Sequence, residues 1–113
     1  MTIRDMIAEY QTEVAKGSLT PSRAAEILSE LSALIGNIND AIRKADLEYN
    51  QVLLHFYETE EKANRAKIKA ECSPEYTAKR TARDTLALAD AMIGSLKYLC
   101  RSFEKEWRHT GNM

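Results

Sequence analysis

A strict 4-3 spacing of apolar residues through the middle of the chain constrains its fold more than any other feature. The spacing runs through Ala24, Leu28, Leu31, Ile35, Ile38, Ile42, Ala45, Tyr49, Val52 and Phe56, and small residues continue the register to Ala70. An average step of 3.5 residues places such side chains on one stripe of a helix and is typical of a coiled-coil seam. The pattern therefore predicts one long central helix, continuous through Gly36, whose stripe packs against other helices.

Capping residues predict where the helices begin and end. Thr2 is a suitable N-cap, Gly17 a suitable C-terminal residue, and the Thr20-Pro21 and Ser73-Pro74 pairs each place a capping hydroxyl before a helix-initiating proline. A second 4-3 stripe follows Pro74, at Ala82, Leu86, Ala89, Ile93, Leu96, Cys100, Phe103 and Trp107. We therefore expect a single helical domain over 1–113 with helices at about 3–16, 21–72 and 74–108.

These lengths predict an all-α fold: a long antiparallel helical hairpin, coiled-coil-like, with a short N-terminal helix packed on the long central helix. At 1.5 Å per residue the third helix is too short to cover the second, so we expect the first and third helices to lie end to end along it. The apolar stripe widens over residues 24–42, which leaves more apolar surface than one short helix can bury. This surplus predicts a homo-oligomer, most simply a two-fold antiparallel dimer, with its interface at Ile27, Leu31, Leu34 and Ile38.

Composition argues against several classes of function. No apolar run reaches the roughly 18 to 20 residues that span a bilayer, and the chain does not open on a signal peptide, so we expect a cytoplasmic protein without a membrane partner. Cys72 and Cys100 have neither a CxxC spacing nor a nearby histidine, which predicts no metal site. With no phosphate-binding loop and no activated nucleophile, we expect no cofactor, no catalytic residue and no enzymatic activity.

Charge is distributed unevenly although the net charge is only -1. Residues 1–60 hold 5 Lys or Arg against 10 Asp or Glu, whereas residues 61–113 hold 11 against 7. One candidate binding surface, which we call the basic turn, consists of Lys62, Arg65, Lys67, Lys69, Lys79, Arg80 and Arg83. Such a cluster suits phosphates or an acidic protein surface, and a merely solvated helix face is the alternative.

A second candidate surface, the C-terminal flank, consists of Lys97, Arg101, Lys105 and Arg108, which step by 4, 4 and 3 along one side of the third helix. Tyr98, Phe103 and Trp107 add aromatic surface there, and Trp, Tyr and Arg dominate protein interfaces. The register of Phe103 and Trp107 nevertheless predicts that both belong to the core.

The segments Ser73-Pro74-Glu75-Tyr76, Leu96-Lys97-Tyr98-Leu99 and Glu106-Trp107-Arg108 together resemble small helical proteins of tailed phages and prophages. The resemblance covers the last third of the chain. It implies a mobile-element origin and an accessory role, and it carries over no catalytic residues.

Three functions follow as hypotheses. The first is a non-catalytic protein-interaction module, for example a phage-encoded inhibitor of a host nuclease or defence complex in the manner of anti-CRISPR proteins. The second is a nucleic-acid-binding accessory factor in phage replication or recombination. The third is an oligomeric structural spacer, in which the rod itself is the function.

Overall fold

The computed structural model describes residues 1–111, and within them it contains four helices and no strand. The helices are α1 (Ile3–Ala15), α2 (Pro21–Thr59), α3 (Ala63–Glu71) and α4 (Pro74–Gly111). Their residues group into two compact units. We call residues 36–86 the turn unit and the rest of the described chain the three-helix unit. The all-α fold class is confirmed, with a short α1 packed on α2 and with α4 antiparallel to α2 in each unit.

The predicted ends of α1 are confirmed, and its contacts show how it packs on α2. The Thr2 hydroxyl accepts a hydrogen bond from the Asp5 amide, and the Asp5 carboxylate accepts one from the Thr2 amide, both at 3.1 Å. These bonds hold the pKa of Asp5 below its ordinary value. The helix stops before Gly17, whose φ of 73° lies in the left-handed region that favours glycine. Ile7 is buried on the face that meets α2.

The predicted helix over residues 21–72 is wrong beyond Thr59, because residues 60–62 separate α2 from α3. The last turn of α2 has no basic residue, and the acidic residues Glu58, Glu60 and Glu61 cluster where the helix dipole is negative. The Thr59 hydroxyl also donates a 3.0 Å hydrogen bond to the carbonyl of His55 within that turn. We attribute the end of α2 to this unfavourable charge and to the side-chain hydrogen bond of Thr59, because the sequence has neither proline nor glycine at this point.

The break changes which residues of α2 and α4 face each other. In the turn unit, Arg83 donates a 2.7 Å hydrogen bond to Asp46, whereas a simple hairpin reversing at residue 73 would place Asp46 opposite about residue 100. Because α3 is a separate helix, α4 begins opposite the end of α2, where Pro74 lines a cleft with Val52 and Phe56. In the three-helix unit, Ala25 of α2 accordingly lines a groove with Phe103 of α4. The expected end-to-end arrangement of α1 and α4 is therefore wrong, since both lie beside the start of α2.

This arrangement also overturns the predicted oligomer interface. Ile27 and Leu31 are 0% exposed and Ile38 is 1% exposed within the single chain, while Leu34 is half-buried. A side chain that its own chain covers completely cannot contact a second copy. The interface prediction is wrong for Ile27, Leu31 and Ile38, because the paired helices provide the cover that the sequence analysis assigned to a dimer.

The predicted continuity of α2 and the predicted buried stripe of α4 have different outcomes. α2 continues through Gly36, as the unbroken spacing predicted. On α4, the buried residues are Thr85, Ala89, Met92 and Leu96. The expected seam residues Leu86 and Ile93 lie beside this stripe and are only half-buried. Thr85 is tolerated inside because its hydroxyl donates a 2.8 Å hydrogen bond to the carbonyl of Thr81 one turn earlier.

Candidate functional site

The seven cations of the basic turn all lie in the turn unit, on α3, at its N-cap and on the first part of α4. Six of them are exposed, and Lys79 is half-buried. The structure therefore brings the sequence-predicted set to one unit. Their individual contacts show which of them are available to a ligand.

Four of the seven cations already have partners within the turn unit. Arg83 pairs with Asp46, and Lys69 pairs with the carboxylate of Glu60 across the break between α2 and α3. The Lys79 ammonium lies 4.5 Å from the centre of the Tyr49 ring, and Arg80 lies 5.9 Å from that of Tyr76. Tyr49 is buried and its pKa is raised by that burial. Lys79 and Arg83 therefore help to hold α4 against α2, and Lys69 holds α3 to the segment that follows α2. Arg80 contacts a ring of its own helix.

The remaining cations of the basic turn, Lys62, Arg65 and Lys67, have no carboxylate within ion-pairing distance among the described residues. Lys62 is the N-cap of α3, with an extended backbone and no side-chain hydrogen bond to the helix. Beside Arg65, the exposed face of α3 carries Ile68, which is 61% exposed. Ile68 was not among the residues predicted from the sequence, although its position two residues after the seam residue Ala66 places it on the outer face of α3.

The C-terminal flank is found as predicted on the surface of α4 in the three-helix unit. All four of its cations are exposed, and Arg108 donates a 2.7 Å hydrogen bond to Glu104. Tyr98, which is 72% exposed, shares a shallow depression with Arg101, Lys105 and Arg108. The structure thus joins three of the four flank cations to an exposed aromatic ring.

An apolar groove of about 370 Å³ lies next to the C-terminal flank and is lined by Pro21, Ala25, Cys100, Phe103, Glu104 and Trp107. Trp107 is 75% exposed, so its predicted place in the core is wrong, whereas Phe103 is half-buried. The reason is that α2 begins at Pro21, and the inner stripe of α4 continues past that point. The groove therefore ends in a large apolar side chain that the described chain leaves mostly uncovered.

A third exposed surface, on the outer face of α2 in the turn unit, escaped the sequence analysis. Leu47 is 59% exposed, Leu54 58% and Tyr57 45%. These residues lie opposite the buried stripe of Ala45 and Tyr49, so the 4-3 spacing does not include them. The seven-residue interval between Leu47 and Leu54, two turns of a helix, was the signal that could have identified this face.

The described residues were also compared with the requirements of a metal site, of a catalytic thiol and of a membrane-spanning helix. They contain no group of three or more His, Cys, Asp or Glu side chains arranged to hold a metal ion. Cys72 and His55 line one cleft of about 670 Å³, but no hydrogen bond joins their side chains. None of the helices in the described part of the chain has the length and apolar character required to cross a membrane.

Compared with family models, with curated proteins and with solved structures, the chain has no match.

Proposed function

We propose that this chain is a non-catalytic protein-interaction module that binds an amphipathic, acidic segment of a partner protein in the groove ending at Trp107. The observation that carries the proposal is the 75% exposure of Trp107 at the end of an apolar groove. Large aromatic side chains that are exposed in a free protein and buried in its complex contribute much of the binding free energy of protein interfaces.

The groove has the chemistry expected for a helix-in-groove contact. Its lining is apolar except for Glu104, which pairs with Arg108, and it consists otherwise of Pro21, Ala25, Cys100, Phe103 and Trp107. A helix that places apolar residues three and four positions apart presents a stripe of matching width. Covering Trp107 and the exposed part of Phe103 would remove apolar surface from water, which favours association.

The C-terminal flank determines the charge of the partner. Lys97, Arg101, Lys105 and Arg108 lie on the stripe of α4 adjacent to the groove, and only Arg108 has an ion pair within the described residues. Carboxylates that border the apolar stripe of a bound segment would face these cations. Such complementarity raises the association rate and disfavours basic partners.

The nature of the partner and the location are part of the same proposal. The resemblance of the last third to small phage proteins supports a phage-encoded inhibitor that binds a host nuclease or defence complex in the host cytoplasm. The free thiols of Cys72, which is exposed, and Cys100, which is half-buried, support a reducing compartment.

Site-specific photocrosslinking tests the proposal. A photoreactive phenylalanine derivative placed at Trp107 should capture one host protein, and the same group placed at Gln11, an exposed position on α1, serves as the control. Trp107→Ala should reduce the affinity for the captured protein by at least about tenfold. Equal capture at both positions, or unchanged affinity of Trp107→Ala, would contradict the proposal.

The unpaired cations of the basic turn favour a second candidate function, the binding of nucleic acid. Exposed Lys62, Arg65 and Lys67 could contact phosphates without first breaking an ion pair with the described residues. Binding of this kind weakens steeply with salt. Arg65→Ala and Lys67→Ala should each lower both the affinity for DNA or RNA and the salt slope, whereas Arg43→Ala on α2 should not. Absence of binding at low salt would exclude this function.

A further inference from the structure

The outer face of α2 in the turn unit combines exposed apolar side chains with an ordered arrangement of charge. Leu47, Leu54 and Tyr57 are all 45% or more exposed on a helix whose opposite face is buried. They occupy about three consecutive turns, whereas isolated exposed apolar residues are common and need no explanation. This concentration indicates a face that contacts another molecule.

Charges flank the apolar residues with opposite sign at the two ends. Arg43 and Lys44 precede Leu47, while Glu58 and Glu61 follow Leu54, and all four are exposed. Arg43 is paired with Asp40 at 3.6 Å, which leaves Lys44 as the basic residue available to a second copy. The exposed Gln51 lies midway, with Lys44 seven residues before it and Glu58 seven residues after it. Because seven residues are close to two helical turns, Lys44, Gln51 and Glu58 lie on nearly the same line along the helix.

This arrangement is complementary to itself when one copy is turned end to end. We propose that a second copy of the chain packs antiparallel on this face, around a two-fold axis at Gln51. Lys44 then faces Glu58 of the partner subunit, and the leucines of the two copies interdigitate between these charged ends. A parallel arrangement would instead place Lys44 against the partner's Lys44, which is unfavourable.

The proposed dimer uses a surface different from the one that the sequence predicted. It retains the two-fold antiparallel symmetry through α2 but replaces the buried Ile27, Leu31 and Ile38 with residues that a second copy can reach. The dimer is also independent of the proposed partner groove, which is formed by the last turns of α4 and the start of α2. Trp107→Ala should therefore leave self-association unchanged.

Charge reversal with mixing tests both the surface and the direction of pairing. Sedimentation of the native chain over a wide concentration range should show a reversible dimer. Lys44→Glu and Glu58→Lys, each alone, place like charges together at both contacts and should weaken the dimer by about tenfold or more. An equimolar mixture of the two variants should restore it, since each copy then faces the opposite charge. A native chain that remains monomeric, or single variants that dimerise as tightly as the native chain, would overturn the proposal.

Cross-linking at the axis gives a second measurement that does not depend on charge. In a Cys72→Ser background, Gln51→Cys should form a disulfide-linked dimer on mild oxidation, because the two copies meet at this position. Arg43→Cys, about 12 Å away along the same helix, serves as the control and should not. Equal cross-linking at both positions would contradict an axis at Gln51. Leu47→Ser should abolish the Gln51 cross-link while leaving the helical content unchanged, and a cross-link that persists in Leu47→Ser would also overturn the proposal.

Discussion

The Tyr10 hydroxyl donates a 2.6 Å hydrogen bond to the carboxylate of Glu30, joining α1 to α2 within the three-helix unit. Tyr10 is 8% exposed, so its ring packs in the core while its hydroxyl reaches the edge. The bond to Glu30, together with burial, raises the pKa of Tyr10 to about 12. Only the protonated hydroxyl can donate this bond, and an anionic ring oxygen would repel the carboxylate.

Tyr10→Phe should lower the free energy of unfolding by about 1 to 2 kcal/mol at neutral pH, because it removes a hydrogen bond to a charged group. The pKa of Tyr10 is higher in the folded than in the unfolded chain, where it is about 10. The contribution is therefore fully present below pH 10 and is lost as the pH rises toward 12. Urea denaturation at several pH values should show the difference between the native chain and Tyr10→Phe shrinking in that window. The exposed Tyr57→Phe is the control, and a pH-independent difference would count against the assignment.

Leu31→Ala should destabilise the single chain by about 2 to 5 kcal/mol, since the truncation leaves a cavity at a fully buried position. The loss should be the same at low and at high protein concentration, because the chain itself covers Leu31. Leu34→Ala, at a half-buried position, should cost less. Chemical denaturation at two concentrations measures both effects. A loss for Leu31→Ala that appears only at high concentration would restore the oligomer interface that we have rejected.

Gly36→Ala should raise the free energy of unfolding by about 0.5 to 1 kcal/mol. Gly36 lies inside α2, and a Cβ built on it meets no atom within 4 Å, so alanine gains helix propensity without a clash. Gly17→Ala should have the opposite effect, although its Cβ would also be free of contacts, because its φ of 73° is unfavourable for alanine. Thermal or chemical denaturation of both variants checks the sign of each change, and a destabilised Gly36→Ala would contradict the account.

Lys62→Ser should be more stable than Lys62→Ala by about 1 kcal/mol, because Lys62 is an N-cap without a side-chain hydrogen bond and serine supplies one. The two variants lose the same charge, so their difference isolates the cap. Hydrogen exchange of the first amides of α3 should slow in Lys62→Ser. Equal stability and equal exchange would indicate that the start of α3 is fixed by packing and not by its cap.

Sequence reasoning succeeded where a structure depends on neighbours within a turn of helix. The Arg23 amide donates a 3.1 Å hydrogen bond to the Thr20 hydroxyl, and the Tyr76 amide donates one of 3.3 Å to the Ser73 hydroxyl, so the N-caps of α2 and α4 are those that the sequence predicted. Both interactions need only the right residue at the right short interval. The same is true of the C-terminal flank, whose exposure follows from helical periodicity once the buried stripe is known.

Sequence reasoning failed where the outcome depends on how distant segments meet. The break after Thr59 arises from several small local effects, and it decides that Asp46 faces Arg83. The exposure of Trp107 could not be recognised before the residues that face the end of α4 were known. The sequence therefore predicted which residues belong to the basic turn and the C-terminal flank. It did not predict which of those side chains are already engaged by contacts within the chain and which are accessible to a ligand.

By itself, the sequence determined that this chain is helical, where α1 begins and where α4 begins, and which stripe of α2 faces inward, because periodicity and capping act over a few residues. Only the tertiary structure decided which residues of α4 cover which residues of α2. That offset depends on where the chain reverses, and a repeating apolar stripe packs comparably well at several offsets that differ by whole turns. Burial of Leu31 and exposure of Trp107 are both outcomes of this pairing within the three-helix unit.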